Sequence, residues 1–186
     1  MIQESQESWN AVSWDEGIKK KWNQVRWFAL YAKSRHEKLT DRELQKKGIE
    51  TFLPMRRISR QWSDRKKLIE EPLFKGYLFV RIPFKERWQV LNTAGAVRFV
   101  GPKPSNPIEV PEKDIVSLRK FVEEEIPLDP FPYLKEGARV YISTGPFKGT
   151  EGYIVRKDRH CRLVISLDLL MQSVSVQVDE ACVQPL

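Results

Sequence analysis

Few residues in this chain are of types that do chemistry, and their spacing does not suit catalysis. The 186 residues include two histidines and two cysteines. His36 stands in "SRHE", where a serine followed three residues later by glutamate is typical of a helix N-cap, and His160 stands beside Cys161 in "DRHC", typical of a turn between strands. Zinc would need further ligands, and only Cys182 remains to join that second pair. We therefore expect no enzymatic activity, no cofactor and no metal site, with both thiols reduced.

The glycine-rich stretch "STGPFKGTEG", residues 143–152, is the other candidate for chemistry. A phosphate-binding loop would end in Gly-Lys-Ser/Thr, which this stretch does not. Its three glycines instead suit tight corners of a small β-structure, with Phe147 filling one end of the core. The stretch therefore predicts a backbone geometry and not a ligand site.

The distribution of charge is a stronger signal. The net charge is +7, and residues 19–67 hold 16 Lys/Arg against five Asp/Glu, whereas residues 68–186 hold 16 of each. A localised basic field is typical of a protein that meets a polyanion, most often nucleic acid. No stretch is apolar enough to span a membrane, and the first 18 residues hold four acids and no base, unlike a secretory signal. We expect a cytoplasmic protein with no membrane partner.

Hydrophobic patterning predicts the elements that must position these residues. "VRWFALYA" predicts a strand buried on both faces, and a helix capped by Ser34 and Glu37 follows and ends at Gly48. "IETFLPMRRISRQW" and a strand from Leu68 predict a basic hairpin. "EPLFKGYLFVRI" and "AVRFVG" predict strands around a short helix, and "VPEKDIVSLRKFVEEE" predicts a longer helix. Beyond these, only short strands and turns are predicted.

Proline and periodicity divide the chain. Residues 1–24 show no periodicity and predict a disordered extension. "IPLDPFPYLKEG" predicts a flexible linker at 126–133, because closely spaced prolines cannot continue a helix. We therefore predict an α/β sandwich at 25–125 and a small β-barrel at 134–186.

Two sets of motifs carry a family resemblance. "ARVYISTGPFKGTEGYIV" resembles the KOW motif, found in SH3-like barrels of NusG-type transcription factors and of ribosomal proteins. "RWFALYAKSRHEK", "GIETFLPMR", "EEPLFKGYLFVR" and "WQVLNTAGAVRFVG" resemble, in order and spacing, the NGN domain of NusG proteins. Residues 25–186 thus resemble the NusG family, and "RQWSDRKK" with "EEPLFKGYLFVR" is most similar to the specialised RfaH and UpxY-type antiterminators. The resemblance implies an α+β fold: an NGN sandwich with a central, mainly antiparallel sheet, and a five-stranded KOW barrel.

In function, the resemblance implies a transcription elongation and antitermination factor whose NGN domain binds the clamp helices of the largest RNA polymerase subunit. An exposed apolar patch on one strand face would make this contact. Its implied residues are Tyr77 and Phe79 with Trp27, Tyr31 and Phe74 as neighbours, and Trp27 and Phe74 are explained equally well as core aromatics. The basic side would face upstream duplex or non-template DNA, with arginines on phosphates or bases and a tryptophan stacked on a base. The implied residues are Lys33, Arg35, His36, Arg42, Arg56, Arg57, Arg60, Trp62, Arg65, Lys66 and Lys67.

The KOW barrel would recruit a second partner, which the resemblance implies to be ribosomal protein S10 or the termination factor Rho. The partner-binding positions would be Phe147, Leu169, Leu170 and Met171, where "DLLMQS" replaces an aromatic site. The Gly-rich turn and the alternation of "SVSVQV" favour a stable barrel. The alternative function is a ribosome- or RNA-associated KOW module, which would have no use for an aromatic polymerase-binding patch.

Overall fold

The computed structural model describes residues 22–61, 66–103, 106–124, 129–131, 137–157 and 160–186. Several predictions fall outside these residues: nearly all of the N-terminal extension, Trp62 and Arg65 of the hairpin, and most of the linker. Across the described residues the fold is mixed α/β with antiparallel sheets.

The described residues of the first half include seven strands and three α-helices. The strands are β1 (Val25–Ala32), β2 (Glu50–Phe52), β3 (Met55–Gln61), β4 (Lys66–Pro72), β5 (Tyr77–Pro83), β6 (Ala96–Phe99) and β7 (Glu109–Val110), and the helices are α1 (Glu37–Lys46), α2 (Arg87–Leu91) and α3 (Glu112–Glu123). Pro54 separates β2 from β3. None of the helices described is long and apolar enough to cross a membrane.

Strand β1 is the centre of the N-terminal sheet, which confirms its prediction as a buried strand. It pairs antiparallel with β5 on one side and with β6 and β7 on the other, and β2 pairs with the far edge of β5. Strands β3 and β4 pair only with each other among the described strands, so the hairpin is a separate two-stranded sheet.

The N-terminal sheet has an apolar cluster on each face. On one face, Phe28, Leu30, Leu78 and Val80 pack with Leu44 of α1 and with α2. On the other face, the alternate residues of the same strands, Trp27, Ala29 and Phe79, pack with α3. The α3 residues Ile115, Leu118 and Phe121 are fully buried. Because side chains alternate along a strand, β1 and β5 supply both clusters.

The predicted N-cap of α1 is wrong. Helix α1 begins at Glu37, with His36 at the N-cap position and no side-chain capping bond. The carboxylate of Glu37 turns instead into the protein, where Oε1 accepts a 2.7 Å hydrogen bond from the backbone N–H of Gly76. A buried backbone donor on another segment outcompetes the local capping geometry.

The second half forms a six-stranded antiparallel sheet, here called the C-terminal sheet. Its strands are β8 (Asp129–Phe131), β9 (Ala138–Ile142), β10 (Glu151–Lys157), β11 (His160–Leu167), β12 (Gln172–Val178) and β13 (Val183–Pro185), in the order β13-β9-β10-β11-β12-β8. Strand β8 lies inside the segment predicted as linker, because a proline-containing stretch can still form an edge strand. The sheet thus has six strands where five were predicted, and its closure into a barrel stays a prediction.

The glycines of "STGPFKGTEG" serve backbone geometry. Gly145 and Gly149 have φ of 80° and 89°, in the left-handed region that favours glycine. At Gly152 an added Cβ would lie 2.6 Å from the backbone oxygen of Val164, on the neighbouring strand. Each glycine therefore has its own reason, a turn or a close approach between strands.

The C-terminal sheet packs against α3, and this contact is here called the seam. The ring of Phe147 lies edge-on to that of Phe121, with centroids 4.7 Å apart. Trp27 and Phe79 share one buried cluster with Phe147, Leu170 and the inner residues of β11 and β12. The two halves therefore share a hydrophobic core, which the predicted flexible linker did not anticipate.

Candidate interaction surfaces

The predicted polymerase-binding residues lie together on one face of the N-terminal sheet, the aromatic face. The register pairs Tyr31 with Tyr77 and Ala29 with Phe79. The rings of Tyr31 and Tyr77 have centroids 5.4 Å apart, and Phe74 meets Phe79 edge-on at 6.2 Å. Period-two alternation along β1 and β5 produces this grouping, as the sequence predicts.

Most of this face is covered, which corrects the expectation of an exposed patch. Trp27, Phe74 and Phe79 are at most 1% exposed, whereas Tyr31 and Tyr77 are half-buried. Phe79 and Val110 line a cavity of about 240 Å³ together with Leu167 of β11 and Leu169 of the turn that follows it. The cover comes from α3 and the C-terminal sheet, elements distant in the sequence.

An ion-pair network borders the aromatic face. Glu50 accepts hydrogen bonds from Arg119 (3.0 Å) and Arg81 (3.1 Å), and the Arg119 guanidinium lies 5.2 Å from the ring centre of Trp27. Burial alone would raise the pKa of Glu50, but the two arginines outweigh it and the pKa is lowered. The indole Nε1 of Trp27 is buried and has no hydrogen-bond partner among the residues that the structure describes. Sequence reasoning missed Arg119, because it comes from α3, 92 residues after Trp27.

Polar contacts also join the two halves across the seam. Lys113 donates to Glu151 Oε2 at 3.1 Å, and Arg139 lies 3.6 Å from the same oxygen. The Lys120 ammonium donates to the backbone oxygen of Lys148 at 2.8 Å. These are long-range pairings between residues that show no signal in the sequence.

Asp114, in the first turn of α3, is half-buried in the seam. Burial raises its pKa to about 6, with Asp168 and Glu151 adding to the rise and Lys113 opposing it. At neutral pH this carboxyl is therefore ionised in a place that favours its neutral form. Sequence reasoning missed the place of Asp114 in the seam.

The predicted partner-binding positions of the C-terminal half differ in exposure. Phe147 and Leu170 are buried at 5% and 7% exposure, and Leu169 is half-buried in the 240 Å³ cavity. Met171 is 62% exposed, with φ of 51°. Only Met171 of the four is thus well placed to meet a partner while the sheet is docked.

The predicted nucleic-acid residues fall into two groups that approach each other. Lys33, Arg35 and His36 form the exposed loop before α1, and Arg42 is exposed on that helix. The hairpin supplies the second group, and Lys38 of α1 reaches it by donating to the backbone oxygen of Glu70 at 3.3 Å. Lys38 is therefore a further basic residue of this surface, which the sequence analysis omitted.

Charge along the hairpin is uneven. Near its base Arg56 and Arg57 face Glu71 and Glu70, and each Nε donates to its partner carboxylate at 3.1 Å. Farther out, Arg60 stands opposite Lys67, and Gln61 opposite Lys66. Each arginine of the base thus has an acidic partner across the hairpin, whereas two basic residues stand opposite each other farther out.

The described residues hold no group of three or more His, Cys, Asp or Glu side chains arranged for a metal. His36 uses Nδ1 to contact the backbone oxygen of Ser34 at 2.9 Å, which fixes its ring in the loop before α1. Cys161 is buried and Cys182 half-buried, both as free thiols. The side chain of His160 lies outside the described part of the structure.

Comparison with known proteins agrees with this architecture. Residues 25–119 match the family model for the transcription termination factor NusG. A NusG transcription termination/antitermination protein of Lactococcus lactis is 29% identical over 91% of this chain and 93% of its own, and that of Borreliella burgdorferi is 22% identical over 82% and 94%.

Among solved structures, one describing domain interaction in Thermotoga maritima NusG matches with a TM-score of 0.53 and 17% identity, covering 88% of this chain and 98% of its own. At that identity the likeness shows the fold alone. The family model nevertheless covers half of the chain, including β1, β5 and nearly all of the aromatic face's supporting elements. The chain therefore belongs to the NusG family of transcription termination/antitermination factors.

Proposed function

We propose that this NusG-family protein is an elongation and antitermination factor that binds RNA polymerase through the aromatic face. The N-terminal half would be an NGN domain that holds the clamp helices of the largest subunit, and it would act by binding one state of polymerase and not by chemistry. The observation that carries the proposal is the convergence of five predicted aromatic residues on one sheet face.

The docked C-terminal sheet has a consequence for this proposal. A helical partner cannot pack on Trp27 and Phe79 while α3 and the sheet bury them. Polymerase binding therefore requires the sheet to leave the seam, which would also free Phe147, Leu169 and Leu170 for a partner. The sheet would then act as a KOW domain toward ribosomal protein S10 or Rho, at a local concentration raised by its tether.

The similarity of the hairpin and β5 sequences to RfaH and UpxY-type proteins supports a specialised paralogue that works on particular operons. The basic loop, α1 and the distal hairpin would contact upstream or non-template DNA during elongation. The hairpin charge distribution supports a contact made mainly at its distal end.

The test is binding of the full chain to purified core RNA polymerase. Tyr31→Ala with Tyr77→Ala removes the two half-buried rings and leaves the buried core intact; we expect affinity to fall about tenfold or more. Trp88→Ala is the matched control, because Trp88 is a 59% exposed aromatic on α2, which packs on the opposite face.

Transcription in vitro through pause and Rho-dependent sites then separates the functions. We expect read-through with the natural protein and its loss with the double tyrosine variant. Equal polymerase binding by both proteins would contradict the proposal. RNA binding without any polymerase binding would favour the alternative, a ribosome- or RNA-associated module.

A further inference from the structure

The seam contains an acidic residue in an unusual position. Asp114 lines both the cavity of about 240 Å³ beside Phe79 and a second cavity of about 190 Å³ beside Gly152. The first lies between the β7 segment and residues 166–170, and the second lies between α3 and the C-terminal sheet. The carboxyl of Asp114 therefore lies where the two halves meet, with space on either side.

The charged groups around Asp114 are mostly acidic. From its own helix Lys113 faces it, from β7 Glu109 lines the same cavity, and the C-terminal sheet contributes Arg139, Glu151 and Asp168. The two cations gather on Glu151, at 3.1 Å from Lys113 and 3.6 Å from Arg139. Docking thus brings Asp114 close to Asp168 and Glu151 and partly shields it from water.

We propose that Asp114 is a proton-dependent latch on the docked C-terminal sheet. With its carboxyl protonated, Asp114 stays in the seam beside Asp168 and Glu151. When the carboxyl is ionised, it repels them and regains water by undocking. The latch depends only on residues of this chain. Its effect on polymerase binding rests on the proposed function.

The sign of the effect follows from the two states. In the docked state burial, followed by Asp168 and Glu151, raises the pKa of Asp114 from 3.8 to about 6 against the influence of Lys113. Undocking removes these causes, so the pKa returns toward its ordinary value. The docked state binds the proton more tightly, and docking is therefore strongest at low pH and weakens as pH rises through 6. Between pH 5 and pH 7 the ratio of docked to undocked molecules is expected to fall about tenfold.

The experiment counts docked and undocked molecules of the full chain by single-molecule energy transfer. Dyes are placed at Gln89→Cys on α2 and Gln184→Cys on β13, both exposed, in a Cys161→Ala and Cys182→Ser background. We expect the ratio of the high-transfer population to the low-transfer population to fall about tenfold between pH 5 and pH 7.

Variants assign the effect to Asp114. Asp114→Asn should abolish the pH dependence and raise the docked ratio at pH 7 by tenfold or more. Glu112→Gln is the matched control, because it removes a negative charge from the same first turn of α3 but lines neither seam cavity. Asp168→Asn, at an exposed position, should make the pH dependence shallower. A pH dependence retained in Asp114→Asn would overturn the latch.

A second measurement decides the case in which dyes report full docking at every pH. Carbon-13 NMR of the Asp114 carboxyl in the full chain should give a midpoint near pH 6, which Asp168→Asn should lower. A midpoint near the ordinary value of 3.8 would overturn the proposal. Neither readout uses polymerase, so failure of the latch is distinguishable from failure of the polymerase-binding proposal.

Discussion

A single carboxylate fixes the turn that begins the aromatic strand β5. Glu37 is 6% exposed, and its Oε1 accepts from the N–H of Gly76, whose φ of 81° places the backbone against the ring of Tyr31. The bond joins α1 to the residue before Tyr77. A residue that sequence patterning predicts as a surface cap is thus an internal support for the candidate polymerase site.

Replacing Glu37 tests this role. Glu37→Ala leaves the buried N–H of Gly76 without an acceptor, and we expect it to lower the free energy of unfolding by about 1–3 kcal/mol. Glu37→Gln keeps an acceptor oxygen at the same reach and should lose less than half as much. Urea denaturation of the full chain measures both. Equal losses would show that the charge, and not the hydrogen bond, matters.

Prediction from sequence succeeds at this scale where a local rule decides. Alternation along β1 and β5 is such a rule, and it groups Tyr31, Tyr77 and Phe79 correctly. The prediction that Phe79 is exposed was wrong, because Val110, α3 and the C-terminal sheet cover it. Spacing along one strand contains no information about a covering layer 30 to 90 residues away.

Among the elements, the hairpin of β3 and β4 has a base and a distal end of different character. At the base of the hairpin, the ion pairs of Arg56 with Glu71 and of Arg57 with Glu70 leave little net charge. Because a polyanion is attracted to clustered positive charge, the distal end, where Arg60 stands opposite Lys67, should dominate DNA binding. The exposed pair, Arg57 with Glu70, contributes little to stability.

Charge reversal at the distal end tests this division. Lys66→Glu with Lys67→Glu should weaken binding to a DNA oligonucleotide strongly and reduce the slope of log affinity against log salt by about 2. Arg57→Gln with Glu70→Gln, which leaves the hairpin's net charge unchanged, should keep both affinity and slope. Fluorescence anisotropy at several salt concentrations measures them. A larger loss in the base variant would contradict the division.

The elements themselves were largely predictable. Strand β1 and helix α3 have strong periodic patterns and lie where the sequence places them. Strand β8 was missed, because "LDPFP" reads as linker and only pairing with Ser173–Ser175 of β12 makes it a strand. The predicted capping box failed for the same reason, since a distant partner overrides a local preference.

For the whole molecule, the seam holds the two halves together by rings and ion pairs. Phe121 and Phe147 supply the apolar contact, and Lys113 with Glu151 supplies the polar one. The polar pair is exposed, so its contribution is small but can be reversed by mutation. Nothing in the sequence predicted the docking, because each half has its own complete set of elements.

A charge swap across the seam tests this arrangement in solution. Lys113→Glu places a like charge opposite Glu151 and should shift the chain toward the undocked form by up to about fivefold. Adding Glu151→Lys restores an opposite pair and should recover docking. Small-angle scattering of the full chain reports the change as a larger and then a normal radius of gyration. Failure of the second substitution to rescue the first would argue against a direct pair.

Strand β8 sets how far the C-terminal sheet can travel once it leaves the seam. From Glu124 at the end of α3 to Asp129 the chain spans five Cα–Cα steps, an upper reach of about 18 Å. While β8 stays paired to β12, the sheet can swing aside but not depart. If β8 separates from β12, the connecting segment runs from Glu124 to Ala138 and its upper reach rises to about 50 Å. The pairing of one short edge strand would then decide between two ranges of motion. With β8 paired, the sheet moves as on a hinge beside the aromatic face; with β8 released, it can reach a distant partner.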